Sequence, residues 1–229
     1  TGKIRALVNL GQQQDGTYWE DFNYAMQPTE PGSTFKLMTL MALLKDKYIN
    51  INQPIDCQGG IAHFGNLTLK DSHLGLRELS IKNAFAQSSN VAMAVLGHKH
   101  YQSNPKKYLD HLHDLHLDRK TGIDLSGERP PRVKKPGQAD WSATTLPWMA
   151  YGYEIQITPL HTCMVYNAVA NGGKLMRPYL ISEIREYGKT IKKYEPKVLE
   201  EAVADTSTIR QLQDCMKEVV LTGTAKHIR

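Results

Sequence analysis

The sequence predicts a mixed α/β protein arranged around one buried helix, and three observations carry that expectation. From Thr34 to Leu44 the chain reads TFKLMTLMALL, apolar around almost its whole circumference, as a helix lodged between layers must be. Short strand-like runs alternate with amphipathic stretches at helical spacing. No period of 20 to 50 residues recurs and no obvious linker divides the 229 residues, so a repeat architecture is not expected.

The elements follow in order. KIRALVNL (3–10) has the β-branched and apolar mix of a strand, and GQQQDG follows as a loop. EPGS punctuates before a helix over 34–45, in which Leu37, Leu40, Met41 and Leu44 fall at i, i+3, i+4 and i+7. Residues 46–75 break short apolar runs with Gly, Asn and Pro, which predicts loops and short strands. Residues 78–100 read as two helices meeting near AQSSN, because Ser and Asn favour caps and turns. An amphipathic helix is expected over 105–118, with Tyr108, Leu112 and Leu115 inward, and a long irregular connection over 121–147. Thr158 as N-cap and Pro159 at the first position open a helix that closes at Gly172-Gly173. A hairpin turning at Gly188-Lys189 and a last helix over 205–220, with Ile209, Leu212, Met216 and Val219 on one side, complete the chain.

Composition excludes several classes. A net charge of +5 with scattered lysine pairs and no interleaved aromatics gives no nucleic-acid footprint. Three cysteines far apart, Cys57, Cys163 and Cys215, form neither a disulfide framework nor a zinc motif. No stretch reaches the roughly 18 apolar residues of a membrane span. The first residues, Thr1-Gly2-Lys3, lack a methionine and read as the start of a fragment, with room for an anchor upstream.

Lys36 is the only charged side chain between Thr34 and Leu44. A buried ammonium snorkels, pairs or loses its proton, and a neutral amine near pH 7 is a general base. Ser33 precedes it by three residues, which puts both side chains on one helix face. Pro31-Gly32 suggests that Ser33 opens the helix, where free N–H groups favour an oxyanion. Ser33 and Lys36 together make an activated nucleophile for acyl transfer, although S-x-x-K alone is common and is met more often as a capping serine with a solvated lysine. Ser88-Ser89-Asn90 presents a hydroxyl and a carboxamide without a charge. Alone the triplet is a turn; its position after S-x-x-K is what informs.

EPGSTFK, SSN, TGIDLSGERP and YGYEIQITPL…YNAVANGG, in that order, resemble the class B penicillin-binding proteins, and more closely their cell-division branch. The resemblance runs from Thr1 to about Ala225. It implies a peptidoglycan D,D-transpeptidase domain with a penicillin-binding protein/serine β-lactamase-like fold, a five-stranded antiparallel sheet sandwiched by helices around the nucleophile helix. By resemblance Ser33 is the nucleophile and its N–H half of the oxyanion hole. Lys36 is the base, Ser88 the proton relay, and Asn90 the residue that orients the substrate amide. Stem peptides and β-lactams are the implied ligands, with no cofactor and no metal. A membrane glycosyltransferase and division proteins are the implied partners, on the periplasmic side of the inner membrane.

The third family motif, K-T-G, is missing from the sequence; Leu221-Thr222-Gly223-Thr224-Ala225 has leucine where the cation belongs. That stretch is expected to be a helix end and loop. The transpeptidase domain over 1–229 is then truncated at both ends, lacking an N-terminal anchor or pedestal and the K-T-G strand past Arg229, and weak or inactive by itself. Other readings are a β-lactam sensor, a non-catalytic scaffold, or a serine β-lactamase, for which no E-x-x-L-N segment is present. His111, His113 and His116 in HLHDLH invite a metal, but without a completing ligand they are expected on a solvated face. His98 and His100 are likewise expected at the surface.

Overall fold

The computed structural model describes residues 1–228. The chain begins with a small hairpin, β1 (Gly11–Gln12) and β2 (Tyr18–Trp19), and reaches the central helix α1 (Lys36–Lys45) through a 3-10 turn at Gly32–Phe35. Four short strands follow, β3 (Pro54–Asp56), β4 (Ile61–Phe64), β5 (Leu67–Lys70) and β6 (Glu78–Ser80), then the helices α2 (Ile81–Ala86), α3 (Asn90–Tyr101) and α4 (Pro105–Asp114). β7 (Arg132–Val133), α5 (Thr145–Met149), β8 (Ile155–Gln156), α6 (Pro159–Ala170) and β9 (Leu175–Met176) lead to the hairpin β10 (Glu183–Glu186) and β11 (Lys189–Lys193). β12 (Val198–Glu200) and α7 (Thr206–Leu221) end the described order of strands and α-helices.

The helix predicted at 34–45 is the centre of the molecule. From Lys36 to Leu44 every residue of α1 is buried. Burying Leu37, Leu40 and Leu43 at 0% exposure contributes roughly 1.5–3 kcal/mol each. One polar residue, Thr39, docks the helix: its hydroxyl donates to the Ala150 carbonyl (2.8 Å) and meets the Tyr108 hydroxyl of α4 (2.7 Å). α3 closes a second side, and its Gly97 lets α5 approach so closely that a Cβ there would lie 2.7 Å from that of Ala150. α7 packs against α1 and α2 with Ile209, Leu212 and Cys215 inward, while Met216 and Val219 are half-buried.

Several expectations change. Residues 3–10 form no strand: Lys3 makes a single bridge to Tyr179. Asn9 is the buried residue there, its amide oxygen accepting from the Ala25 N–H (3.0 Å), so Val8 and Leu10 are turned outward at 71% and 56% exposure. Gly11 and Gln12, read as loop, pair with β2. The five-stranded sheet is not formed among the described residues, whose ladders are all antiparallel pairs of two strands. A wider sheet needs neighbours along both edges of a strand, and segment 3–10 finds only Tyr179. The late hairpin turns at Tyr187-Gly188 rather than Gly188-Lys189; both residues have positive φ (47° and 79°), the geometry that matches strand twist.

The histidines are less solvated than expected. His111 pairs with Asp46 (2.9 Å) and His116 with Glu200 (2.8 Å), leaving their side chains 13% and 15% exposed. Only His113, bonded to Asp118, stays largely in solvent. Each ring faces a different carboxylate: Asp46 follows α1, Asp118 lies a few residues beyond α4, and Glu200 ends β12. His98 meets the Phe64 ring edge-on and His100 stacks on Tyr48. Among the described residues no helix is long and apolar enough to cross a membrane.

The entry to α1 depends on a contact between two glycines. The Gly32 N–H donates to the Gly152 carbonyl (2.9 Å), and a Cβ on Gly152, at φ +96°, would sit 1.9 Å from the Gly32 carbonyl oxygen. Gly152→Ala is therefore expected to lose about 2 kcal/mol or more through backbone strain and overpacking. Urea denaturation checks this; a variant as stable as the wild type would show that the two loops part freely.

Candidate active site

Ser33 lies in the 3-10 turn Gly32–Phe35, one step before α1. The sequence predicts an α-helix over 34–45 opened by Ser33, but α1 begins at Lys36, and Gly32, at φ +57°, stands in a left-handed conformation that an α-helix does not contain. Ser33 is exposed, whereas Lys36 one turn on is 1% exposed. The Lys36 Nζ donates to Ser33 Oγ (3.1 Å), to Ser88 Oγ (3.0 Å) and to the Ser88 carbonyl (2.5 Å). The structure thus brings together three of the four predicted site residues around one nitrogen.

That geometry suits both protonation states. An ammonium has three donors, and three acceptors surround this one. A neutral amine keeps two donors and gains a lone pair, which a hydroxyl from Ser33 can occupy without any heavy atom moving. Burial pushes the Lys36 pKa down from 10.5 to about 8, opposed by the negative charge of Asp71. The lysine therefore neither snorkels nor forms an ion pair: it is held by oxygens in the interior.

Ser88 reaches Lys36 by way of a strained turn. The Ser88 N–H bonds the Phe85 carbonyl and the Ser89 N–H bonds the Ala84 carbonyl, both at 2.9 Å. This is the paired closure in which a helix C-terminus normally places glycine in the left-handed region, yet a serine stands there at φ +57°. Ser89 then caps α3, its Oγ accepting from the Ala92 N–H (3.0 Å). Asn90 is the first residue of α3, half-buried, and its amide donates to the Lys70 carbonyl (3.0 Å). That amide is turned to Lys70, whereas Lys36 bonds Ser33 and Ser88, so Asn90 stands beside the cluster.

The stretch that imitates the third motif lies near this turn but not on a strand. α7 ends at Leu221, the Thr224 N–H donates to the Ala86 carbonyl (3.1 Å), and the Gln87 amide donates to the Thr222 carbonyl (3.2 Å). A Cβ on Gly223 would come 2.2 Å from the Ala86 oxygen. Residues 222–224 thus brace the end of α2, one residue before Ser88.

Sequence reasoning missed Asp71. It follows β5 and is 7% exposed; its carboxylate accepts from the Ser89 hydroxyl (2.7 Å) and from the N–H groups of Asn90 (2.5 Å) and Val91 (2.9 Å). A lone aspartate in KDSH has no spacing that signals this. Its place comes from the Asp71 N–H bonding the Gly60 carbonyl (2.8 Å) across the β4–β5 hairpin.

Two outcomes test the cluster without any substrate. Between pH 8 and 10.5 the folded Lys36 is largely neutral while an unfolded chain still holds the proton, so stability rises with pH across that window. The gain is on the order of 3 kcal/mol, and Lys36→Met should remove it from the pH dependence of urea unfolding. Ser88→Gly and Ser88→Ala both lose the hydroxyl that Lys36 bonds, but only the glycine releases the left-handed strain, so the glycine variant should be the more stable of the two by about 1 kcal/mol, read as a higher Tm; equal values would mean that the turn is unstrained.

Comparisons with known proteins give the family. Residues 1–229 match the family model of the penicillin binding protein transpeptidase domain. The chain is 28% identical over 204 residues to stage V sporulation protein D of Bacillus subtilis, covering 86% of this chain and 30% of that protein. It is 27% identical over 231 residues to penicillin-binding protein PbpB of Mycolicibacterium smegmatis, covering 96% and 34%. It therefore spans about a third of the length of these curated relatives. The TP domain of Burkholderia pseudomallei penicillin-binding protein 3 shares the fold at TM-score 0.80 and 19% identity, over 100% of this chain and 62% of that one. A peptidoglycan synthase complex structure matches at TM-score 0.76 and 22% identity, over 90% of this chain and 35% of that one. The chain belongs to the penicillin-binding protein transpeptidase family, in its class B branch.

Proposed function

We propose that Ser33 is the acyl acceptor of a peptidoglycan D,D-transpeptidase that cross-links stem peptides during septal wall synthesis. The observation that carries this is the Lys36 nitrogen set between the Ser33 and Ser88 hydroxyls at 3.1 and 3.0 Å. Ser33 Oγ attacks the carbonyl of a D-Ala–D-Ala bond while its proton passes to neutral Lys36. The tetrahedral oxyanion takes a hydrogen bond from the Ser33 N–H. As the C–N bond breaks, the proton moves from Lys36 through the Ser88 hydroxyl to the departing D-alanine amine. The amine of a second stem peptide then attacks the ester, by the reverse proton path, and frees Ser33. Asn90 aligns the substrate amide from the start of α3. β-Lactams take the same route and stop at the ester.

The third motif is assigned to a strand that follows Arg229 in a longer polypeptide, since residues 221–225 are helix end and loop. Without that strand the substrate carboxylate and the oxyanion each lack a donor, and loss of one oxyanion donor typically costs 10²–10³ in rate. The chain by itself is accordingly a weak enzyme or none. The longer protein is placed at the outer face of the inner membrane, working with a glycosyltransferase and division proteins. The likeness to a peptidoglycan synthase complex supports that partnership.

Fluorescent penicillin should label the polypeptide that includes the following strand, and Ser33→Ala should abolish the label. Labelling should quicken as pH rises through about 8, where Lys36 loses its proton, and Ser88→Gly should slow it. An ester that persists for many minutes marks a transpeptidase, whereas rapid turnover of a chromogenic cephalosporin marks a β-lactamase. A polypeptide that never labels is a scaffold, and one that labels without exchanging peptides is a sensor.

A further inference from the structure

Asp71 and Glu128 are the buried carboxylates among the described residues. Glu128 closes its own loop, accepting from the N–H groups of Thr121 (2.7 Å) and Gly122 (3.3 Å). Asp71 instead reaches across the fold to the turn that touches Lys36, and the proton path above gives it no part. Its three bonds are to Ser89, Asn90 and Val91. α3 already has an ordinary N-cap in Ser89, so Asp71 is a second cap, and a charged one.

A neutral second cap would satisfy the same N–H groups. A carboxylate adds charge, and that charge faces the positive end of α3, where it is favourable. It also lies behind the turn whose front holds Lys36. Ser88 binds the lysine through its hydroxyl and carbonyl, and the next three residues bind Asp71. The anion and the cation therefore grip one four-residue stretch, the cation at its first residue and the anion at the next three.

We propose that Asp71 is a positioning residue of this site: it fixes the Ser88 turn against Lys36 and supplies, from inside the fold, the negative charge that the buried lysine senses. The consequence for catalysis rests on the transpeptidase reading; the coupling between the two charges does not. The groups around the pair leave it no competitor. The Ser33 and Ser88 hydroxyls are neutral, and burial pushes the Cys57 thiol, which bonds Ser89 beneath the turn, upward and keeps it uncharged. Burial lowers the Lys36 pKa and Asp71 alone is identified as raising it. Without the carboxylate, the amine loses its proton at lower pH.

This separates positioning from plain structural support. A carboxylate that merely holds the turn lowers the rate of acylation at every pH alike. Asp71 as proposed does two things: its loss lowers the plateau, because Ser88 is no longer held, and moves the rising limb to lower pH, because the lysine has lost its counter-charge.

The test is a side-chain NMR titration of Lys36 in the full-length protein, wild type against Asp71→Asn, with penicillin acylation followed across pH in the same samples. The Lys36 midpoint is expected to fall in the variant, with the acylation limb moving the same way, and Asp71→Glu should restore the limb more than the plateau. A Lys36 midpoint that does not move overturns the proposal. Should Asp71→Asn fail to fold, the double variant Lys36→Met/Asp71→Asn is expected to recover thermal stability, since neither charge is then left alone. A double variant no more stable than the single one overturns the coupling. If the wild type never acylates, the Ser33 reading falls while the NMR midpoint still decides the role of Asp71.

Discussion

A single nitrogen in the interior organises this molecule. Lys36 is almost wholly shielded from water, yet it is satisfied, because Ser33 and Ser88 together present three oxygens to its three donors. Burying an ammonium without partners costs several kcal/mol. Each acceptor must therefore be in place before the helix that carries the lysine can pack. This requirement couples α1 to the α2–α3 turn more tightly than apolar contact would. It also makes the site sensitive to small displacements, since a hydroxyl moved by an ångström leaves the amine unsatisfied.

The backbone absorbs the strain of that arrangement at a few points. Ser88 occupies a left-handed position that glycine would fill at less cost, because a glycine has no hydroxyl to offer the lysine. Gly32 and Gly152 do the reverse: they give up side chains so that two loops can touch main chain to main chain and set Ser33 at the mouth of α1. Gly223 does likewise behind α2, letting the loop after α7 brace the residues that precede Ser88. Left-handed backbone and close approach thus meet at the cluster, although each also occurs elsewhere, as at Lys47 and Gly2. The outlying hairpin β10–β11 is exposed at every strand position except Glu183.

The proposed chemistry needs a nucleophile in reach of solvent and a base kept out of it. The 3-10 turn before α1 separates the two, leaving Ser33 outside and Lys36 inside within a single turn of chain. A regular α-helix starting at Pro31 would carry both groups deeper or both outward. The buried Asp71 adds a charge on the far side, where it acts on the lysine without competing for the Ser33 hydroxyl.

The sequence alone determined the central helix, its buried lysine, the SSN turn and the cap at Thr158, because each is a local pattern: apolar spacing, a charge out of place, or a side chain that bonds its own backbone. It also determined that Ser33 and Lys36 share a face, since three residues of helix fix that. Only the tertiary structure decided that Ser88 joins them, for 52 residues separate it from Lys36 and no periodicity spans such a gap. The same holds for Asp71, placed by a hairpin register, and for His111 and His116, whose carboxylate partners come from distant segments. Segment 3–10 failed as a strand for a related reason. Strand propensity describes a surface waiting for a neighbour, and here the neighbour is a single residue, Tyr179, while Asn9 takes the inward place that an apolar residue was expected to fill.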